Sequence, residues 1–313
     1  MRGEADLAAM CKLARLIRSR GCDVIHMHTS HAHTLGCFAS LFARRGVRVV
    51  SRRVDFSIIK NPVSRLKYRW GVDKYVAISD AIKAVMVTDG VAAERISVVH
   101  SGIDISRFDS TEADAQLRNE LQLQAGQPVI GNVAHLADHK GHRYLLEAVP
   151  EIIKEFPDAK FMIVGDGELR ADLERQVARL GIEGSVVFTG FRRDVPALLS
   201  LFDVFVMASR MEGLCTSVMD AMAARVPVVV TDAGGLPELV RNEVSGLVVP
   251  AKEPAALALA IARLLRNREE AARFAAVARG TVGEKYSVDV MVEGNIRVYD
   301  DLLKNVLPGG QGG

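Results

Sequence analysis

The chain has 313 residues, 49% of them apolar and 25% charged, with a net charge of +2. This is ordinary globular composition in a chain long enough to bury two cores, and two domains are the expectation from length. It excludes a membrane-spanning protein, because no apolar run approaches the roughly 18 residues a span needs.

The cysteines, Cys11, Cys22, Cys37 and Cys215, show no CxxC and no paired spacing, so free thiols in a reducing compartment are expected. The opening MRGEADL carries two acids and no apolar core, unlike a signal peptide. A cytoplasmic protein is expected, with peripheral contact at the inner face of the membrane left open. Charge is uneven: residues 1–110 hold 18 Lys/Arg against 10 Asp/Glu, a balance of +8, and the remainder balances at −6. An anionic partner for the first half and a solvated basic surface are both consistent with that asymmetry.

Short β-branched runs alternate with longer amphipathic stretches, the pattern of parallel sheets covered on both faces. Strands are predicted at Asp23–Met27, Val47–Ser51, Lys74–Ile78 and Ile96–Val99, with helices near 5–20, 31–45, 61–70 and 80–88. A second series follows at Val129–Val133, Lys160–Val164, Val186–Thr189, Val204–Met207, Val226–Thr231 and Leu247–Pro250. Its helices fall near 142–156, 168–180, 194–201, 216–224, 254–266 and 269–281, and a last helix runs to about Leu303. The expected layout is a first domain over 1–110, a linker over 111–127 and a second domain over 128–287. The final helix, 288–305, rejoins the first domain, and a tail over 306–313 is disordered. The chain opens in a helix-like segment rather than a strand and Gly-rich turn, so the first domain reads as short of its leading strands.

The strongest local signal is Glu212-Gly-Leu-Cys-Thr-Ser-Val-Met-Asp220, between a strand and a helix. Ligands in open α/β sheets bind beyond the carboxyl ends of strands, and the amides of Thr216, Ser217 and Val218 at a helix start favour phosphate. Ser217-x-x-Asp220 also reads as a capping box, which would occupy Asp220 structurally. Lys140, before Gly141, stands at another helix start, where a cation opposes the local dipole; it answers to an anionic ligand or is a solvated surface lysine. Gly165-Asp-Gly167 and Gly234-Gly235-Leu-Pro-Glu238 are either close backbone approaches to a ligand or tight turns or helix entries. His26, His28, His31 and His33 cluster without a carboxylate or cysteine at ligand spacing, and no Asp-x-Asp occurs, so no metal is expected. There is no nucleophile elbow, no P-loop and no GxGxxG.

Taken in order, Lys140-Gly141, Gly165-Asp-Gly167, Phe188-Thr-Gly-Phe191, the Glu212 to Asp220 motif, Gly234-Gly235-Leu-Pro-Glu238 and Gly246-Leu-Val-Val-Pro250 resemble the donor half of the family-four retaining glycosyltransferases. Asp23-Val-Ile-His-Met-His28, Val76-Ala-Ile-Ser79 and Val98-Val-His-Ser-Gly-Ile-Asp104 resemble that family's acceptor domain. The resemblance implies a GT-B fold, two Rossmann-like doubly wound domains facing a cleft, here with a truncated first domain. It implies Glu212 on the donor sugar, Lys140 on the diphosphate and Asp220 on the ribose. Gly213, Leu214, Cys215, Thr216 and Ser217 would hold phosphate or sugar oxygens, Gly165 and His135 would line the donor site, and Phe191 and Arg192 would lie near the base. His28, Arg52 and Arg53 fall on the acceptor side.

Departures matter. Asp220 stands where glutamate is common, His135 where arginine is common and Cys215 where glycine is frequent. The implied activity is transfer of a sugar from a nucleotide-diphosphate donor to an acceptor hydroxyl in cell-envelope, polysaccharide or glycolipid synthesis. No cofactor beyond the nucleotide-sugar co-substrate and no nucleic-acid partner are expected; the acceptor is a saccharide, lipid-linked or phosphorylated. The alternative is a nucleotide-sugar-binding protein or assembly partner without turnover, because the leading Gly-rich loop is not in the chain.

Overall fold

The computed structural model describes residues 6–53, 68, 71–109 and 115–306. The chain divides into two compact units, Met1–Ser101 with Asp289–Gly313, and Gly102–Val288.

The first unit runs α1 (Leu7–Arg20), β1 (Val24–Met27), α2 (Ser30–Ala43), β2 (Val47–Arg52), β3 (Lys74–Ala77), α3 (Asp80–Thr88) and β4 (Ile96–Val98). Its strands form a parallel sheet in the order β1-β2-β3-β4, with Val24 opposite Val47 and Val50 opposite Tyr75. Local chemistry sets the helix ends. The Asp6 carboxylate accepts from the Ala9 amide at 2.9 Å to start α1, and Gly21 closes it in the left-handed region. The Ser79 hydroxyl caps α3 through the Ile82 amide at 3.2 Å. The predicted helix near 61–70 lies, apart from Tyr68, outside the described residues.

The second unit runs α4 (Ala115–Glu120), β5 (Val129–Val133), α5 (His142–Glu155), β6 (Lys160–Val164), α6 (Arg170–Leu180), β7 (Val186–Gly190) and α7 (Val195–Leu199). It continues with β8 (Val204–Met207), α8 (Thr216–Ala223), β9 (Val228–Thr231), α9 (Leu236–Leu239), β10 (Leu247–Val249), α10 (Pro254–Arg266) and α11 (Arg268–Lys285). The chain then enters α12 (Val288–Val306), whose Val298 packs on Val49, Val76 and Val99 of the first sheet. The tail predicted over 306–313 lies, from residue 307 on, outside the described residues.

The six-stranded parallel sheet has the order β10-β9-β8-β5-β6-β7. The chain builds outward from β5 through β6 to β7, then returns to lay β8 on the other side of β5. The strand order reverses there, so loops leaving the carboxyl ends of β5 and β8 diverge and open a crevice. Every residue of β8 and β9 is buried, which is why these strands read as continuous Val-rich runs rather than alternating ones. Helix α5 covers one face with Leu145, Leu146, Val149 and Ile152, all 1% exposed or less.

The second unit begins earlier than the sequence suggests. The bonds Ile103 N–H to Tyr286 O (2.9 Å) and Val288 N–H to Ile103 O (3.1 Å) tie its two ends together. Phe108 is buried, and the short 3-10 turn Ile105–Phe108 packs on α8. Residues 102–109 therefore belong with the second core, because a buried aromatic and a backbone bridge outweigh sequence proximity to β4.

Candidate functional site

The crevice of the second unit is built by two loops. After β5 the chain runs through His135 and a 3-10 turn at Asp138–Lys140, then reverses at Gly141 into α5. After β8 it runs through Ser209 and Glu212 into α8. These loops bring Lys140 and Glu212 together: Nζ lies 2.5 Å from Oε2, with side chains 17% and 10% exposed. The Ser209 hydroxyl donates to the same carboxylate oxygen at 3.3 Å, and Thr231 of β9 donates to the Ser209 carbonyl at 2.6 Å. Glu212 is thus aimed by a chain of bonds that starts inside the sheet.

Two glycines hold these loops in contact with their neighbours. Gly141 has φ +69°, and a Cβ there would lie 1.9 Å from the Ala208 carbonyl oxygen. Gly234 has φ +53°, and its Cβ would meet the Glu212 carbonyl oxygen at 1.9 Å, while the Gly235 amide donates to that oxygen at 2.9 Å. Both glycines admit a neighbouring carbonyl where any side chain would clash, and so help to position the acid and the lysine.

Beside the pair opens a cavity of about 710 Å³. His135, Gly165, Phe191, Arg192 and Ser217 of the sequence-predicted residues line it, with Asp166, Gly167 and Val195. Phe191 is 73% exposed at the cavity. Arg192 reaches the wall already engaged: Asp194 takes two of its N–H groups at 2.8 and 2.6 Å, and Glu120 a third at 2.7 Å. That fork raises its affinity for its own proton further and leaves little of the guanidinium for a ligand. His135 is exposed and sits 3.1 Å from Glu168.

Helix α8 departs from the capping-box reading. Its N-cap is Cys215, not Ser217, and no side chain caps it. Ser217 is already inside the first turn, so Asp220 cannot reach back as a box partner. Asp220 is instead half-buried with its carboxyl pushed up to about 6 by burial, against the opposing pull of Arg107. Cys215 is buried, and burial and the charge of Glu212 push its thiol up to about 12, so it stays neutral. Gly213 and Leu214 are buried beside it, while Thr216 is exposed at the helix start.

Sequence reasoning missed several participants. Arg107 acts on Asp220 from a turn more than a hundred residues away. Asp166 was visible inside Gly165-Asp-Gly167 but carried no role. His142, first residue of α5, is 2% exposed, neither ring nitrogen has a hydrogen-bond partner among the described residues, and burial, then Lys140, push it down to about 4. It therefore stays neutral behind the lysine, and no spacing rule marks it.

In the first unit the three acceptor-side residues separate. Arg52 is 9% exposed and donates to the Tyr68 hydroxyl at 3.1 Å, so it points into the unit. Arg53 and His28 are exposed and line one cavity. His33 is buried edge-on against Tyr68 and Tyr75, and of the four histidines only His26 and His28 stand ring to ring.

A parallel doubly wound sheet with a crevice at its switch point is the α/β architecture that binds ligands beyond the carboxyl ends of its strands. Comparison with known proteins names the class. The model of the group 1 glycosyl transferases matches residues 114–281, and that of glycosyltransferase family 4 matches residues 1–107. The chain belongs to the group 1 glycosyltransferases, and its two parallel-sheet units are of the GT-B fold. It is 33% identical over 292 residues to the GDP-mannose-dependent alpha-(1-6)-phosphatidylinositol monomannoside mannosyltransferase of Mycolicibacterium smegmatis, covering 90% of this chain and 70% of that one. It is 34% identical over 215 residues to the 2-deoxystreptamine glucosyltransferase of Streptomyces kanamyceticus, 66% of this chain. The chain spans little more than half the length of that relative, 56%. Among solved structures it is similar to Anabaena HepE in complex with UDP, with a TM-score of 0.84, 26% identity, and 95% and 82% of the two chains covered.

Proposed function

We propose that the chain transfers a sugar from a nucleoside-diphosphate donor to an acceptor hydroxyl with retention of anomeric configuration and without a metal. The observation that carries this is the Lys140–Glu212 pair at the switch point of the second sheet. A lysine at that place can take the charge of a departing diphosphate once the donor displaces it from Glu212, which is then free to accept from sugar hydroxyls. Asp220 would accept from ribose hydroxyls, and the amides opening α8 would add positive potential. In the transfer the bond from the anomeric carbon to the diphosphate oxygen breaks, and the acceptor oxygen bonds to that carbon on the same face. The acceptor proton passes to the leaving oxygen.

Relatives support the donor class. Anabaena HepE has been solved with UDP and with UDP-glucose, and the mycobacterial relative is GDP-mannose-dependent. The latter is a phosphatidylinositol monomannoside mannosyltransferase, which supports a role in glycolipid or cell-envelope synthesis. Among the described residues no helix is long and apolar enough to cross a membrane. Peripheral contact is supported by Leu16, Phe38 and Phe42, exposed on α1 and α2, with Arg18 bonded to the Phe42 carbonyl at 3.0 Å.

The test is transfer from UDP-, GDP- and ADP-sugars by the full chain and by Glu212→Ala and Lys140→Ala. Each variant should lose about two to three orders of magnitude. Normal transfer by both, or nucleotide binding with no product from any donor, would sink the reading; the second result would leave a binding protein.

A further inference from the structure

Beyond the carboxyl ends of β1–β4, in the first unit, lies a cavity of about 260 Å³. β1 delivers His26 and His28 to it, β2 delivers Ser51 and then Arg53, and α12 walls one side with Tyr299. His26 is fixed: Nδ1 lies 2.5 Å from the Tyr299 hydroxyl and Nε2 2.8 Å from the Ser51 hydroxyl. The His28 ring stands on it, centroids 4.1 Å apart. Arg53 makes no hydrogen bond or ion pair with another described residue, and no Asp or Glu lines the cavity among the described residues. His100, after β4, also faces in, but Asp80 lies within 4.8 Å of its ring nitrogen and already neutralises that side.

An exposed guanidinium beside two imidazole rings in contact, with no acidic side chain among the described residues lining the cavity, is an electrostatic arrangement that an anion would relieve. Their titration reflects it. Burial, then His28 and Arg53, push His26 down to about 4; burial, then Arg53, push His28 down as well. We propose that this cavity seats a phosphoryl group of the acceptor between the Arg53 guanidinium and the His28 imidazole, with His26 as a fixed floor. Calling the ligand an acceptor rests on the glycosyltransferase reading; the anion site does not. The shared chemistry is a phosphate mono- or diester on a polyol or sugar, free or lipid-borne. Entry of the anion favours the charged imidazole, so His28 takes up a proton on binding and affinity rises as pH falls. Tyr299 and Ser51 stay on His26 and do not titrate in that range.

The experiment is calorimetry on the full chain with sulfate, whose charge is constant from about pH 8 to about pH 6. Glycerol 1-phosphate is the second ligand and glycerol the uncharged control. Sulfate and glycerol 1-phosphate should bind and glycerol should not. The apparent heat should differ between buffers of different ionisation enthalpy, which reports proton uptake. Arg53→Met should lose about tenfold or more and Arg53→Lys less, since a charge-assisted bond is removed in the first and kept in the second. His28→Asn should flatten the pH dependence. UDP binding, read on the same samples, is the control for folding. Vesicles of phosphatidylglycerol in phosphatidylcholine form the lipid arm. Binding through Arg53 by either phosphoryl source supports the site and names the source. Binding by neither, equal binding by Arg53→Met, or no proton uptake overturns it. Phosphoryl binding without UDP binding by the wild-type chain would instead sink the donor reading and leave this site standing.

Discussion

The Nζ of Lys140 and Oε2 of Glu212 lie 2.5 Å apart although 72 residues separate them in sequence. Each is the other's counter-ion, with side chains 17% and 10% exposed. Lys140→Ala or Glu212→Ala should therefore cost about 3 kcal/mol of stability, the range for an orphaned buried charge. The double variant should cost clearly less than the sum, because neither charge is then left alone. Urea denaturation of the four proteins measures the cycle; additive losses would show that the pair is not coupled.

Asp220 makes stability depend on pH in a direction opposite to most carboxylates. Its folded value of about 6 stands above the ordinary 3.8, with burial as the main cause. The folded state thus binds more protons than the unfolded chain between those values, and stability falls as pH rises from about 4 to about 6. Asp220→Asn removes the buried charge. It should stabilise the protein at pH 7 and above by about 1–2 kcal/mol, with the gain vanishing near pH 4. The same variant should weaken binding of a nucleoside diphosphate, since the carboxylate acceptor is gone. Thermal melts across pH, with and without UDP, read both effects, and a pH-independent difference would refute the assignment.

The sequence made the strands legible because their cores are continuous. The predicted bounds of Val129–Val133, Lys160–Val164 and Val204–Met207 are those of the structure, since buried parallel strands are unbroken apolar runs. Helix α11 runs to Lys285, beyond the predicted end at 281, because Ala278 and Val282 carry a buried face through Gly280 and Gly283. Gly234-Gly235-Leu-Pro reads equally as a tight turn or a helix entry, and the structure makes it the entry of the one-turn helix α9, with Gly235 as its N-cap. At the site, family resemblance supplies Lys140 and Glu212 together, while spacing alone leaves Lys140 between an anion contact and a solvated surface lysine. Partners distant in sequence, Glu120 on Arg192 and Arg107 beside Asp220, carry no local signal.

Gly234 and Gly181 offer a controlled comparison. Both have left-handed backbones, φ +53° and +65°, but a Cβ at Gly234 meets the Glu212 carbonyl oxygen at 1.9 Å and one at Gly181 meets nothing within 4 Å. Gly181→Ala should cost only the left-handed strain, about 1–2 kcal/mol, and leave transfer intact. Gly234→Ala must also push the Glu212 backbone away. It should cost more stability and lower kcat, the signature of a displaced carboxylate. Equal losses of stability with equal rates would mean that the clash is absorbed elsewhere.

Phe191 leaves 73% of its surface exposed on the wall of the 710 Å³ cavity, and its removal should therefore cost little in folding. Its ring face is available to stack on a nucleobase, a contact that costs about 1–3 kcal/mol per base when the aromatic is replaced by alanine. Phe191→Ala should weaken UDP or GDP binding by roughly tenfold. It should leave pyrophosphate binding and the melting temperature where they were. Phe191→Trp should keep most of the affinity, because any flat aromatic face serves. Calorimetry with the nucleotide and with pyrophosphate separates base from phosphate: a loss shared by both ligands would place the effect of Phe191 on the diphosphate rather than on the base.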